Sequence, residues 1–295
     1  MEHYNPIFSK VPTLRFKQYH CPWSTYHLSD IAEVVGGGTP DTTVSSLWNG
    51  DIQWFTPTEV GHQKYVSKSA RTITQLGLQK SSAKKLPAGS ILLSSRATIG
   101  ECSIAQRECT TNQGFQNLIP KKDTNNEFLY YLAQTKKHHF IKYASGSTFL
   151  EISNSEIKKT KCTVPGTEEQ TQIAAFLSAL DDRIAVQNKI ISKYETLIKG
   201  LCDMIFPSIE GSILPLKAIV SIEKGQQING MSLAKTGKYY YLNGGIAPSG
   251  YIDDYNTSEE TISISEGGNS CGFVSYNLQK FLNTSHKTEH LGRTD

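Results

Sequence analysis

Side chains that could carry out catalysis occur in this sequence of 295 residues, but their spacing completes no catalytic motif. Glycines 36–38 match a phosphate-binding glycine loop only weakly and are expected to form a turn. The chain has no Gly-x-x-x-x-Gly-Lys-Ser/Thr phosphate loop. Asn5-Pro-Ile-Phe lacks the second proline of the Asn-Pro-Pro-Phe motif of amino-methyltransferases. His286 and His290 lack the adjacent glutamate of a metalloprotease helix. We therefore expect no catalytic residue and no metal ligand in this chain.

Cysteine and bulk composition bound the class of protein. No Cys-x-x-Cys pair and no zinc-type histidine spacing occurs, so all the thiols are expected to be reduced, buried and inert. They are Cys21, Cys102, Cys109, Cys162, Cys202 and Cys271. A hydrophobic share of 38% and a net charge of +3 are ordinary for a globular protein and compatible with nucleic acid. We find no signal peptide and no apolar run near the roughly 20 residues of a membrane span. We expect a cytoplasmic protein without membrane contact.

Several clusters of cationic and hydroxyl side chains could contact nucleic acid. Lys, Arg, Ser and Thr donate to phosphates, and Arg, Lys, Asn and Gln read base edges in the major groove. A solvated helix face is the alternative for the cluster at 136–142. The candidates are Lys64, Lys68 and Arg71 on a predicted loop, Arg96 and Thr98 after a strand, Lys136, Lys137, His138 and Lys142 on a predicted helix, and Ser145, Ser147 and Thr148 in the turn after it.

These clusters require elements to position them, and the clearest element is a long helix at 168–206. Pro165 and Gly166 end the preceding segment, and Thr167 and Gln170 match a capping box. About 39 residues at 1.5 Å each predict a rod roughly 58 Å long, ended by Pro207. We call its heptad-spaced positions the helix-pairing seam. They are Ile173, Leu177, Leu180, Ile184, Gln187, Ile191, Tyr194, Ile198, Leu201 and Ile205.

Heptad spacing held over more than four repeats is typical of a helix that pairs with another helix. The partner helix could belong to this chain or to a second one. Gln187 breaks the seam, either as a register-setting polar residue or as a partly exposed position. The alternative is a core helix inside one large domain.

Segments on either side of the helix resemble each other at an offset of about 170 to 190 residues, longer than a solenoid repeat. Residues 28–38 resemble 216–225, residues 52–56 resemble 239–243, and residues 90–101 resemble 261–272. This indicates a duplicated domain. Two related globular units separated by a rod suit a ligand with two sites along a line, such as double-stranded DNA.

Three segments resemble one family closely. They are LPAGSILLSSRATIG at 86–100 with TNQGFQNLIP at 111–120, ASGSTFLEIS at 144–153 with KCTVP at 161–165, and EEQTQIAAFLSALDDRI at 168–184. Together they resemble the specificity subunits of type I restriction-modification systems, over nearly all of residues 20–277.

The resemblance implies a fold and a set of partners. Each globular unit would be a target-recognition domain that reads half of a split site in double-stranded DNA, with the helix as the spacer. Modification subunits would supply S-adenosylmethionine and the adenine methyltransferase site. Restriction subunits would supply ATP hydrolysis and cleavage, with Mg also expected on the partners. No cofactor is expected on this chain.

The fold implied is α+β, with a first target-recognition domain at 1–166, a coiled-coil-type spacer helix at 167–207 and a partial second recognition domain at 208–295. The sequence stops resembling the family at Asn277, and its polar ending has no helical periodicity. A truncated second domain is therefore expected.

Truncation leaves three outcomes open: the chain could pair with itself through the helix-pairing seam, pair with another specificity fragment, or be an inactive recombination product. The competing functions are a recombined half-subunit that acts as a coiled-coil adaptor with little DNA specificity and, less well supported, a stand-alone hydrolase.

Overall fold

A computed structural model describes residues 12, 14–146, 150–225, 233–266, 268–284 and 286–290. It contains two compact units, Met1–Thr196 and Leu197–Asp295. The domain limits at 166 and 207 remain predictions. The observed mixture of strands and helices with one long helix agrees with the predicted α+β class.

The first unit contains ten strands and five short helices among its described residues, and the long helix begins there. In chain order they are β1 (Ser24–His27), α1 (Leu28–Ile31), β2 (Ala32–Gly36), β3 (Trp48–Phe55), β4 (Tyr65–Val66), β5 (Arg71–Ile73), α2 (Gln75–Gln79), β6 (Ile91–Leu93), β7 (Cys102–Ala105), β8 (Cys109–Thr111), β9 (Gln116–Pro120), α3 (Asn126–Thr135), α4 (Lys137–Lys142), α5 (Asn154–Lys159), β10 (Lys161–Val164) and α6 (Thr167–Ser208).

A five-stranded sheet of order β2-β9-β6-β7-β4 forms the centre of the first unit. The short apolar run of β6 is buried on both faces, as such runs usually are. Ile91 and Leu93 pack with α3 in the main core, whereas Leu92 packs in a second core on the opposite face. A three-stranded sheet of order β5-β3-β8 lies beside it.

Helix α3 covers one face of the central sheet because its sequence can be capped and is amphipathic. The Asn125 side chain accepts a hydrogen bond from the Phe128 amide at 2.9 Å, which satisfies an otherwise unpaired amide of the first turn. Phe128, Leu129 and Ala133 are buried in the main core. At Lys136 the backbone leaves α3 and starts α4, so the basic cluster lies across a break between two helices.

Strands β1 and β10 form a separate antiparallel ribbon in which Tyr26 pairs with Cys162. The chain therefore enters and leaves the globular part of the first unit side by side. Pro165 and Gly166 then separate the ribbon from α6.

Helix α6 runs over 42 residues without a break, which confirms the predicted rod. It continues to Ser208, one residue beyond the predicted end at Pro207. The predicted capping box is wrong. The Thr167 hydroxyl donates to the Asp123 carbonyl, and the Gln170 carboxamide oxygen accepts from the Asn125 amide at 3.0 Å. Gln170 is buried against the loop before α3, so its side chain satisfies that loop instead of the helix end.

The second unit contains seven strands among its described residues. They are β11 (Val220–Lys224), β12 (Tyr239–Leu242), β13 (Gly250–Ile252), β14 (Thr261–Ile264), β15 (Val274–Asn277), β16 (Phe281–Asn283) and β17 (His286–His290).

These strands repeat the framework of the first unit. The sheet of order β11-β17-β14-β15 matches β2-β9-β6-β7, and the sheet of order β13-β12-β16 matches β5-β3-β8. The parallel pair β12 and β16 repeats the parallel pair β3 and β8, while the pairs on the other side of β3 and β12 are both antiparallel. This confirms the duplication expected from the sequence.

Turns and glycines repeat as well. In the turn after β6 the Gly100 amide donates to Ser94, and in the turn after β14 the Gly272 amide donates to Ser265. Both glycines have a positive φ, 87° and 82°, which explains why glycine occupies both places. Past Asn277, where the sequence stops resembling the family, the second unit continues the strand order of the first through β16 and β17. Strand β17 is paired through its backbone on both sides, which polar residues permit.

One layer of the first unit has no counterpart in the described part of the second. Past residue 208, the described helical structure is limited to the 3-10 turns Leu216–Ala218 and Gly268–Ser270. By strand register Tyr276 corresponds to Ile104, yet it is 56% exposed where Ile104 is 1% exposed. The apolar face that α3 covers in the first unit is therefore open in the second.

Candidate nucleic-acid interface

Arg71 begins β5, at the outer edge of the three-stranded sheet, and its side chain is exposed. The guanidinium carbon lies 3.7 Å from the centroid of the Trp48 ring and 5.6 Å from that of Trp54. Arginine stacks on aromatic faces in this way through cation–π attraction. The result is a cation held against an aromatic surface at the molecular boundary.

The two tryptophans form a fixed platform beneath Arg71. Their rings meet edge to face, 5.0 Å between centroids at 88°. The Trp48 indole donates to the Asp41 carbonyl and the Trp54 indole to the Gly38 carbonyl, each at 2.9 Å. Both side chains are buried in a small core with Leu47. Neither ring can turn without losing its hydrogen bond, so the platform is rigid.

A large bulge in β3 adjoins the platform. Trp48 and Ile52 both pair with Ile73, which leaves residues 49–51 looped out of the ladder. Asn49 has a φ of 60°, rare for a residue other than glycine. Bulges of this kind are common where a strand redirects side chains near a functional site.

Lys68 lies just before β5, three residues before Arg71. It is exposed and lines an open polar cleft of about 590 Å³ together with His62 and Gln63. Ser69, between the two cations, is buried, and its hydroxyl accepts from the Trp54 amide at 2.9 Å. Lys68 and Arg71 thus flank Ser69, a residue that is fixed by its hydrogen bond with β3.

Lys64 was predicted in the same cluster, but the structure commits its ammonium group to the interior. It donates to Glu127 at 3.2 Å, to Tyr131 at 3.3 Å and to the Ser178 hydroxyl of α6. Only 12% of its side chain is exposed. We therefore leave Lys64 out of the surface available to DNA.

Arg96 and Thr98 occupy the turn after β6, where Ala97 has a φ of 62°. The Arg96 guanidinium donates to Glu151 at 3.0 Å and is partly neutralised by this ion pair. The Thr98 hydroxyl donates to Ser94 at 3.0 Å and remains exposed. Ser145 pairs through its backbone with Glu151, which joins the two loops. Ser147 and Thr148 lie outside the described residues.

The cluster at the α3–α4 break presents fewer cations than its sequence suggests. Lys137 forms an ion pair with Glu101, and Lys136 is partly buried at the end of α3. His138 and Lys142 are exposed. A phosphate could therefore contact His138, Lys142 and the exposed part of Lys137 in this cluster.

Sequence reasoning missed a cleft of about 600 Å³ beside β2. Lys84, Lys121 and Lys158 line it, and the Lys121 ammonium donates to the Ser29 carbonyl at 2.7 Å. The three lysines come from distant parts of the sequence, so no local pattern indicates them.

The helix-pairing seam divides into a covered and an uncovered part. Ile173 and Leu177 are partly buried in the first unit. From Leu180 to Ile205 every seam position is exposed. A third row of exposed apolar residues lies beside the seam, each residue one position before a seam residue. The row consists of Ile190, Leu197 and Met204, which precede Ile191, Ile198 and Ile205.

Polar contacts hold the first turns of α6 against the first unit. Arg15 donates to both carboxylate oxygens of Glu169 at 2.7 Å, and Trp23 donates to the same carboxylate at 3.2 Å. The Arg15 hydrogen bonds, with help from Trp23, lower the pKa of Glu169 against the opposing effect of burial.

Farther along α6, Glu127 connects the helix to α3. Burial would raise the pKa of Glu127, but hydrogen bonds donated by Tyr65, Ser178 and Lys64 outweigh it, and the pKa is lowered. The Tyr131 hydroxyl donates to Asp181 at 2.5 Å. This network fixes the direction in which α6 leaves the first unit.

Two of the three glycines that could suggest a phosphate loop, Gly37 and Gly38, have a packing role. A Cβ on Gly37 would lie 1.9 Å from the Asn112 carbonyl oxygen, and one on Gly38 would lie 2.3 Å from the Ala83 nitrogen. Glycine is required because strands and loops approach closely here.

Over the described residues, no group of His, Cys, Asp and Glu is arranged to hold a metal ion. Within the same residues no helix is both long and apolar enough to cross a bilayer.

Comparison with known proteins covers more than half of the chain. Residues 21–196 match the family described as the type I restriction modification DNA specificity domain. The MjaIX specificity subunit of Methanocaldococcus jannaschii is 42% identical over 178 residues, which are 58% of this chain and 41% of that protein. The EcoR124I/EcoR124II specificity subunit of Escherichia coli is 28% identical over 175 residues, 57% of this chain and 43% of its own length. This chain thus spans less than half of either relative.

Solved structures agree on the fold. A type I restriction-modification system S subunit from M. genitalium superimposes with a TM-score of 0.62 at 18% identity, over 97% of this chain and 76% of the other. At that identity the likeness supports the architecture alone. Combined with the family match across residues 21–196, it shows that this chain belongs to the type I restriction-modification specificity subunits.

Proposed function

We propose that this chain recognises a specific DNA sequence for a type I restriction-modification complex and contributes no catalytic group itself. The observation that carries the proposal is the duplicated β framework, β2–β9 and β11–β17, joined by one unbroken helix. Two copies of one recognition framework suit a DNA site in two parts. The proposed localisation is cytoplasmic, because such a complex acts on cellular DNA.

Methylation and cleavage are proposed to reside in partner subunits. Modification subunits would bring S-adenosylmethionine, and restriction subunits would bring ATP and Mg. The three exposed apolar rows of α6 support docking of more than one helix, because a two-helix seam needs only two rows. In heptad terms the extra row is Ile190, Leu197 and Met204.

The DNA surface is proposed to involve exposed lysine, arginine and histidine side chains of the first unit. Lys68, Arg71, His138 and Lys142 are exposed and lie at turns or element ends. Thr98 and Ser145 are exposed hydroxyls on adjoining loops. Arg96 and Lys137 carry carboxylate partners and would have to exchange them for phosphate.

Co-expression with a type I modification subunit tests the proposal. Adenines methylated in the host DNA should share one split sequence, and that pattern should disappear when this chain is omitted. Methylation that is unchanged without the chain would refute the specificity role. A coiled-coil adaptor without DNA affinity would also show no salt-sensitive binding of duplex DNA.

A second proposal concerns the partner of α6. The uncovered rows favour pairing with a second copy of this chain or with another specificity fragment, in the absence of other subunits. A second copy predicts twice the mass of one chain, 32.7 kDa, in light scattering at micromolar concentration. A mass of one chain would contradict self-pairing and leave a different fragment or subunit as the partner.

A further inference from the structure

We propose that Arg71, stacked on Trp48, reads a guanine in the major groove and so determines one base pair of the recognised sequence. This proposal rests on the DNA-recognition function proposed above. It identifies which of the exposed cations reads a base and which chemical group it reads.

The donors of Arg71 are available. Among the described residues, no acceptor is bonded to its guanidinium, and its backbone carbonyl accepts from the Ser69 hydroxyl at 2.7 Å. Arg15 and Arg96 are instead paired with Glu169 and Glu151. Arg71 can therefore bind a ligand without breaking an ion pair.

The orientation of those donors is set before any ligand arrives. The guanidinium carbon lies 3.7 Å from the centroid of the Trp48 ring, and that ring is itself held by its hydrogen bond to the Asp41 carbonyl. A side chain already fixed in place loses little conformational entropy on binding. A phosphate can also be bound by lysine, which acts as a point charge and needs no fixed plane of donors. Base reading does require such a plane.

The surroundings also fit a base contact. Strands β3 and β5 form an antiparallel ribbon with Trp54 opposite Arg71, and β5 is the outermost strand. The major groove is wide enough for a two-stranded ribbon. The looped-out residues 49–51 place Asn49, a second side chain that can read bases, on the same strand pair. Guanine presents O6 and N7 side by side, which matches two parallel N–H groups of arginine.

Selection of duplexes from a random pool by the full chain tests this inference. The wild-type chain should enrich a motif containing a G·C pair that Arg71→Lys and Arg71→Ala no longer select. Affinity for the wild-type motif should fall about tenfold or more in both variants. Arg107→Ala is the matched control, because Arg107 is also exposed but has no aromatic platform, and its motif should not change. An unchanged far-ultraviolet circular dichroism spectrum and thermal unfolding midpoint would verify that each variant retains the fold.

Two results would overturn the assignment. One is an unchanged motif and affinity in Arg71→Lys. The other is an equal loss of affinity in Arg71→Ala for all sequences with a salt slope smaller by about one, which identifies a phosphate contact. A wild-type chain that enriches no motif and shows no salt-sensitive binding instead refutes the proposed function itself.

Discussion

At the scale of single residues, burial separates the six cysteines into two classes, and the sequence could not do so. Cys102, Cys109 and Cys162 are buried, as expected. Cys21, Cys202 and Cys271 are exposed, which contradicts the expectation that all six are buried. Isolated cysteines carry no local pattern that distinguishes a strand interior from a surface loop.

Thiol labelling should follow this division. Burial raises the pKa of Cys102 and Cys109 to about 12 and that of Cys162 to about 11, so little reactive thiolate forms at neutral pH. Native protein should react rapidly with an aromatic disulfide reagent at three thiols and at all six after denaturation. Rapid native reaction at more than three would contradict the packing of β7, β8 and β10.

Acid should weaken the attachment of α6 to the first unit. The pKa of Glu169 is lowered by its hydrogen bonds from Arg15, so its ionised form stabilises the fold above the ordinary carboxyl range near 4.3. That stability should be lost as the pH falls through the depressed pKa.

Thermal unfolding of Glu169→Gln tests the sign of this effect. The variant should melt below the wild type at pH 7, and the difference should shrink progressively below about pH 4. Glu168→Gln, at an exposed neighbouring position, is the control and should change little. A constant difference across this pH range would exclude the carboxylate as its origin.

At the scale of elements, the long helix was predicted well because heptad spacing is a local and repeated signal. Its first turn was predicted poorly. Gln170 reaches residues 123–125 of the loop before α3, and such long-range contacts leave no trace in local spacing. For the same reason Lys64 was assigned to a surface loop, although Ser178 binds it from 114 residues away.

Charges in the seam should abolish helix pairing without unfolding the helix. Ile191→Asp with Ile198→Asp should weaken binding to a second copy or to a modification subunit at least tenfold, about 1.4 kcal/mol. Ser192→Asp with Thr196→Asp adds the same charge away from the seam and should leave binding intact. Sedimentation velocity measures the association, and far-ultraviolet circular dichroism verifies the helix. Equal effects of the two pairs would argue against the seam as the docking face.

At the scale of the whole molecule, weak internal similarity in the sequence correctly indicated a duplication. Residues 90–101 contain β6 and the turn after it, and residues 261–272 contain the corresponding β14 and its turn. The platform of Trp48 and Trp54 was not predicted. Both tryptophans belong to β3, and their rings meet across the bulge at residues 49–51, which the sequence does not indicate.

The open sheet face of the second unit should bind an apolar dye. Val274 and Tyr276 are 57% and 56% exposed, and together with Ile262 and Ile264 they form an apolar patch. Val274→Lys with Tyr276→Lys should reduce the fluorescence of bound anilinonaphthalene sulfonate by half or more. Glu259→Lys with Glu260→Lys changes exposed residues outside the patch and serves as the control. Undiminished fluorescence in the first pair would show that the dye binds elsewhere.

The β1–β10 ribbon has a consequence for how such a protein can change. Because the chain enters and leaves the first globular body on the paired strands β1 and β10, the residues between His27 and Lys161 are connected to the rest of the chain at two adjacent positions. Domains attached in this way tolerate insertion and replacement. A different body grafted onto the same ribbon would keep the sequence and length of the helix, so the sequence read and the length of the spacer could evolve independently.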